Sequence, residues 1–302
     1  MFNAFFSLRS IYSSLLLALV VLLPSTSLLA RPELKPLGEN IADIGSTYYQ
    51  FQTHFFTSAD GERRYKVRIG IPKKAAPAAG YPVLYMLDGN AAMARLTESM
   101  LKQMSSEAPP VLVAVGYDTN LPFDVAARSF DYTPAGENLE QDQRMRGRKG
   151  GGSAEFRQLL LNEIVPYVEK RAPSNPLKRG IWGHSFGGLF VLDSYYNTTW
   201  FHNYFAAAPS LGWANQRIIA LAKESDPARL QHKSLYLMEG DGVTEQRKGH
   251  SSDLKHEEGQ LTQILEHKGG DLHLSRYPGQ THGQILPSSL TDTLRIMSNN
   301  QN

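Results

Sequence analysis

The segment Gly180-Ile181-Trp182-Gly183-His184-Ser185-Phe186-Gly187-Gly188-Leu189-Phe190 carries a short apolar run that stops at a glycine-framed serine, after which an amphipathic helix begins. A serine hydroxyl becomes a useful nucleophile only when it is lifted out of a sheet on a sharp turn beside a base. G-x-S-x-G between a strand and a helix is the pattern that does this. In that geometry Gly183 and Gly187 leave space that side chains would block. The backbone N–H of Phe186 opens the helix and points where an oxyanion would form, with the helix dipole adding favourable potential. The bare pattern is common and also arises where a helix packs closely on a sheet. The flanking strand and helix, together with a downstream histidine, make it specific. The chemistry indicated is acyl transfer through serine.

Such a serine needs a base, and in a strand-turn-helix arrangement the chain order is serine, acid, histidine. Of the nine histidines, His54, His184, His202, His232, His250, His256, His267 and His273 fall on strands, in helices or in polar loops and read as surface or packing residues. His282 differs. It follows the last strand in the turn Pro278-Gly279-Gln280-Thr281-His282-Gly283, just before the final helix, where a base would return to the serine. The acid stays open: strand Leu235 to Met238 ends in Glu239-Gly240-Asp241, with Glu245 beyond. Asp241 is the first choice, and a Ser-His dyad with all three carboxylates solvated is the alternative. The second oxyanion donor should come from the loop after the Pro82 to Leu87 strand, where Gly89 or Asn90 presents a backbone N–H. Asp88-Gly89 also reads as an ordinary turn.

The elements that must position these groups follow from the hydrophobic pattern. Tyr48 to Phe56 and Arg64 to Pro72 alternate around a turn at Asp60-Gly61 and predict an antiparallel hairpin at a sheet edge. The pattern then changes to continuous apolar runs, Pro82 to Leu87 and Val111 to Val115, separated by a helical stretch to about Met104. Runs buried on both faces indicate a mostly parallel sheet covered by helices, an α/β fold. A helix over Phe156 to Lys170 leads to the serine strand. Later strands are predicted at Tyr204 to Ala208, Leu235 to Met238 and Leu272 to Tyr277, and later helices at Lys255 to His267 and Ser288 to Met297. Between Tyr117 and Ser153 lies a long loop ending in Arg144, Arg146, Arg148, Lys149 and Gly150-Gly151-Gly152. It reads either as a solvated basic loop or as a binding element.

With 302 residues, 41% of them hydrophobic, the chain can bury a large core, and residues 31–302 read as one domain. A formal net charge of +2 excludes a nucleic-acid partner, which would show a far stronger basic excess. Cysteine is absent, which removes disulfides, a cysteine nucleophile and thiolate metal sites. Residues 1–30 have Arg9 as their only charge, the apolar run Leu15 to Leu23, then Pro24 and small residues to Ala30. They read as a secretory signal, cut after Ala30 or after Ser27, whose apolar part is too short to span a bilayer. Stable membrane insertion is not expected after cleavage.

Taken with Leu84-Tyr85-Met86-Leu87-Asp88-Gly89-Asn90, Arg128-Ser129-Phe130-Asp131-Tyr132-Thr133-Pro134 and the serine turn, the sequence from about residue 45 onward resembles the esterase D-like branch of the α/β-hydrolases. Within that branch it is similar to periplasmic trilactone siderophore esterases of the IroE type. The resemblance implies an α/β-hydrolase fold with Ser185 as nucleophile and His282 as base, working as a dyad. The Asp241-Gly242 pair departs from that pattern. It also implies that Arg128 lines the pocket and touches catecholate, with a local ion pair to Asp131 as the plain alternative. Trp213 would lie near the pocket mouth, with core packing as its alternative.

The implied reaction is hydrolysis of the trilactone of enterobactin or a relative, ferric or iron-free, in the periplasm. No metal cofactor is implied, because any iron arrives with the ligand. A ferric tris-catecholate is an anion with aromatic faces, to which Arg128, Arg144, Arg146, Arg148 and Lys149 are complementary. Two other readings compete: an exported carboxylesterase acting on acyl or feruloyl esters, and a hydrolase-like module that binds a siderophore without turnover.

Overall fold

The computed structural model describes residues 34–136, 147–242 and 251–299, with side chains from residue 255 onward in the last stretch. The export segment at residues 1–30, and Arg144, Arg146, Glu245 and His250, lie outside the described residues. The elements run α1 (Ile41–Ile44), β1 (Tyr49–Thr57), β2 (Arg64–Pro72), β3 (Tyr81–Leu87), α2 (Gly89–Met93), α3 (Glu98–Ser106), β4 (Val111–Tyr117) and α4 (Val125–Asp131). They continue with α5 (Ser153–Leu159), a π-turn (Leu160–Ile164), α6 (Val165–Glu169), β5 (Ser174–His184), α7 (Phe186–Asn197), β6 (Asn203–Ala207) and α8 (Arg217–Glu224). After a 3₁₀ turn (Pro227–Leu230) come β7 (Ser234–Gly240), α9 (Ser251–His267), β8 (Asp271–Tyr277) and α10 (Ile285–Ser298).

The strands form one eight-stranded sheet in the order β1-β2-β4-β3-β5-β6-β7-β8. β1, β2 and β4 pair antiparallel, and β4, β3, β5, β6, β7 and β8 pair parallel. The antiparallel hairpin and the parallel body both match the sequence pattern. Every residue of β3 and of β4 is buried. The period of two along β3 sends Val83, Tyr85 and Leu87 into a cluster with Phe156, Leu160, Phe190 and Trp213. It sends Leu84 and Met86 into the opposite cluster with Leu101, Leu290 and Leu294. That is why the run is apolar throughout: each such side chain contributes about 1.5–3 kcal/mol of burial to one face or the other.

Two details differ from the sequence expectation. α7 is not amphipathic: Phe186 through Tyr196 are all buried, because the helix is enclosed between the sheet, α5 and α8. The helix expected over Phe156 to Lys170 is continuous but carries the π-turn, with Val165 donating to the Leu160 carbonyl. Pro166 has no N–H and its ring would crowd the carbonyl of Asn162, so one wider turn lets the helix continue. Because β3 and β5 to β8 are parallel, the turns at their carboxyl ends gather on one side of the sheet. These are Asp88-Gly89-Asn90, Ser185-Phe186, Ala208-Pro209-Ser210, Asp241-Gly242 and the turn to His282.

Candidate active site

Ser185 sits between β5 and α7 with φ 61° and ψ −115°, a conformation that a non-glycine residue adopts only under restraint. Its N–H donates to the Ala207 carbonyl at 2.9 Å, and its carbonyl accepts from Leu189 at 2.9 Å and Ser210 at 3.3 Å. Strain of about 1–3 kcal/mol is thus offset by three hydrogen bonds, each contributing about 0.5–1.5 kcal/mol. A Cβ at Gly183 would fall on the Gly187 carbonyl, and one at Gly188 would come within 2.8 Å of the Ala207 carbonyl oxygen. At Gly187 the nearest atom would be 3.6 Å away, an ordinary contact. The close approach therefore needs Gly183 and Gly188 rather than Gly183 and Gly187. Ser185 Oγ lies 3.4 Å from Ser210 Oγ, a neighbour contributed by the turn after β6 that the sequence did not single out.

His282 is half-buried in the turn between β8 and α10. Its ring centroid lies 4.7 Å from that of His184, the residue before the serine. His184 Nε2 is 2.6 Å from the His282 carbonyl oxygen. A carbonyl only accepts, so His184 carries its proton on Nε2. His184, read from sequence as a packing residue, is buried and ties the base-bearing turn to the elbow. Asp241 was the first choice for the triad acid. Its Oδ1 instead accepts the backbone N–H of Gly279 at 2.5 Å, and its neighbour Gly242 donates to the Gln280 carbonyl at 2.9 Å. It is an exposed anchor of the turn's main chain.

On the other side, Asp88 ends β3 in the left-handed region at φ 49°, with its N–H donating to the Tyr132 hydroxyl at 3.1 Å. Gly89 and Asn90 open α2 beside the elbow, because β3 and β5 are sheet neighbours. The Asn90 side chain latches the loop after β4 through the carbonyls of Tyr117, Thr119 and Leu121 at 3.0–3.1 Å. With its amide so used, the backbone N–H is the part of Asn90 suited to an oxyanion.

Arg128 stands on α4, a helix inside the span read from sequence as loop. It was expected to touch ligand, or failing that to pair with Asp131. It does neither. Nε and Nη2 donate to the two carboxylate oxygens of Asp88 at 2.9 and 2.8 Å, and Nη2 also reaches the His184 carbonyl at 3.3 Å. Phe123, Tyr132 and Phe186 face the guanidinium at 5.4–5.6 Å. Burial works against its charge, but Asp88 more than compensates and raises its pKa.

Asp131 pairs elsewhere: its Oδ2 accepts from Tyr65 and Tyr117 at 3.0 and 2.9 Å, and Arg63 Nε lies 3.1 Å from Oδ1. Burial outweighs these partners and pushes its pKa up to about 7. Trp213, expected at the pocket mouth, has no exposed surface and belongs to the core. Arg148 donates to Ser129 Oγ at 2.8 Å, which ties it to α4.

A nucleophile elbow, a histidine turn packed on it and a flanking turn of N–H donors form the constellation of a serine acyl hydrolase. The model of the family described as "Putative esterase" matches residues 58–294. The chain belongs to this esterase family. This esterase is 42% identical over 285 residues to the apo-salmochelin esterase of Escherichia coli O6:H1, spanning 93% of this chain and 90% of that protein. It is 27% identical over 261 residues to the ferri-bacillibactin esterase BesA of Bacillus subtilis, spanning 81% and 88%. Among solved structures it is similar to the enterobactin hydrolase IroE in complex with DFP, with a TM-score of 0.76 and 41% identity over 85% of this chain and 98% of that one. The protein is therefore a serine hydrolase of carboxylic esters with an α/β-hydrolase fold.

Proposed function

We propose that this esterase hydrolyses the trilactone backbone of a catecholate siderophore such as enterobactin or its glucosylated relatives. The observation that carries the catalytic half is the strained Ser185 elbow with the turn of His282 packed on its preceding residue. Likeness to two siderophore esterases over most of the chain supports the substrate class.

In this reading Ser185 Oγ attacks a lactone carbonyl carbon while His282 takes the hydroxyl proton. The oxyanion is held by the N–H of Phe186 and by that of Gly89 or Asn90. Collapse breaks the carbon–alkoxide bond, and His282 returns the proton to the departing serine oxygen of the ligand. Water, deprotonated by His282, then attacks the acyl-enzyme and releases a carboxylate and free Ser185. Arg146 and Arg148, read from the sequence as binding residues, would add charge complementary to an anionic catecholate. The N-terminal 30 residues would deliver the enzyme to the periplasm, and fractionation of cells expressing the chain with and without them tests that delivery.

The test of the reaction is incubation of purified enzyme with enterobactin, iron-free and ferric, against feruloyl and short-chain p-nitrophenyl esters, with product chromatography. Stepwise appearance of linear trimer, dimer and monomer is expected. Rapid cleavage of only the simple esters would overturn the substrate assignment in favour of a general exported carboxylesterase.

A further inference from the structure

Three turns must meet for an ester to be cleaved here, and each follows a different strand. Asp88-Gly89-Asn90 offers an oxyanion donor, His184-Ser185-Phe186 offers the nucleophile and the other donor, and Pro278 to His282 carries the base. One continuous set of contacts joins them. Arg128 grips both oxygens of Asp88 and reaches the His184 carbonyl. The His184 ring then donates to the His282 carbonyl. The side chains of Asp88 and Arg128 are only 4% and 12% exposed, so water competes weakly for either charge. Asp88 is fixed from a second direction by the fully buried Tyr132. Gly187, in the first turn of α7, has room for a methyl only to 3.6 Å from Asp88 Oδ2, so this turn lies against the elbow's own helix.

We propose that Asp88, Arg128 and His184 form a positioning frame that sets the oxyanion-donor turn and the base turn against Ser185, with Arg128 acting through Asp88 and His184 rather than on the ligand. The proposal rests on Ser185 being the nucleophile. The geometry fits that task better than ligand binding. The guanidinium fork matches one carboxylate bidentately, a directional restraint that a lysine point charge cannot supply. His184 works from both ends, its main chain taking the restraint from α4 and its ring passing it to the β8–α10 turn. A displacement of about 1 Å at an oxyanion donor or base is worth roughly 10²-fold in rate.

The experiment measures kcat and KM on p-nitrophenyl butyrate, which is neutral and lacks catechol, together with the labelling rate by a neutral fluorophosphonate and the melting temperature. Arg128→Lys keeps the charge and loses the fork. The paired variant Asp88→Asn with Arg128→Gln removes both charges and leaves no lone ion buried, so it serves if a single substitution unfolds the protein. Both should lower kcat roughly 10²-fold with KM nearly unchanged, and labelling should slow in parallel. His184→Gln, which retains a side-chain donor, should recover most of the kcat that His184→Leu loses.

Wild-type kcat and labelling in these variants, or a rise in KM confined to catechol-bearing anionic esters, would overturn the frame. Equal losses in the two His184 variants would contradict its role as hub. Peptide mapping of labelled wild-type enzyme separates the two levels. Label absent from Ser185 fails the nucleophile reading, whereas label on Ser185 with normal variant kinetics fails the frame alone.

Discussion

On the β3 side of Ser185, the donor turn is held by a buried bidentate ion pair, Asp88 with Arg128, braced by Tyr132. On the β8 side, apart from the His184 ring on the His282 carbonyl, the turn bearing His282 is held by an exposed carboxylate, Asp241, on one backbone N–H, and by the Gly242 to Gln280 main-chain bond. Charges sealed from water restrain strongly, and removing one of them leaves the other without compensation. A water-facing carboxylate restrains weakly and its loss is repaired by solvent. In the proposed reaction the stiffer support lies where negative charge would develop and a preorganised dipole matters most. The softer support lies under a histidine that would, in that reaction, reach two oxygens in turn, the serine's and the leaving group's.

Breaking the buried side should therefore cost most. Arg128→Ala strands Asp88 and should lower unfolding free energy by about 3–5 kcal/mol, read by urea denaturation; a loss no larger than that of Asp241→Ala would erase the contrast. Next comes the elbow. Gly183→Ala forces a methyl onto the Gly187 carbonyl and should destabilise by about 1–3 kcal/mol with severe loss of activity. Gly187→Ala, with 3.6 Å of room, should be tolerated nearly fully. On the softer side, Asp241→Asn should cost no more than about 1 kcal/mol and only a few-fold in kcat; a collapse of activity would mean that this carboxylate orients the base after all.

The smallest effect concerns pH. Asp131 lies on α4 with Arg128 and faces Tyr65, Tyr117, Arg63 and, farther off, Asp124. Burial sets its folded pKa at about 7, while an unfolded aspartate titrates near about 3.9. Between those values the folded chain keeps a proton that the unfolded chain has lost. Its contribution to stability therefore falls as pH rises from about 4 to about 7 and is constant above. Thermal melts across pH 4–8 should show a shallower decline for Asp131→Asn than for wild type; identical slopes would contradict this.

The parallel body of the sheet and the elbow were legible in the sequence because their signals are local. Short continuous apolar runs bounded by turn residues read as doubly covered strands, and glycines around Ser185 mark a strand-to-helix turn. The place of His282 in the turn after the last strand was legible too, and the structure packs that turn against His184. What was hidden depends on contacts remote in sequence. Arg128 meets Asp88 forty residues away, and α4 is a seven-residue helix capped by Asp124, too short for hydrophobic periodicity to stand out from a loop. Trp213 joins the core cluster with Leu189, Phe190 and Ile218, which its neighbours in sequence do not announce. Asp241 has the residue type and strand-end position of a triad acid, and only geometry shows its carboxylate turned to Gly279.

The most direct measurement is trilactone hydrolysis by wild-type enzyme and by Ser185→Ala, with binding of the intact siderophore followed in parallel. Linear products from the wild type alone, with binding retained in the variant, are expected. Intact trilactone in the wild-type reaction, or equal cleavage by Ser185→Ala, would contradict the assignment of this elbow as a siderophore esterase.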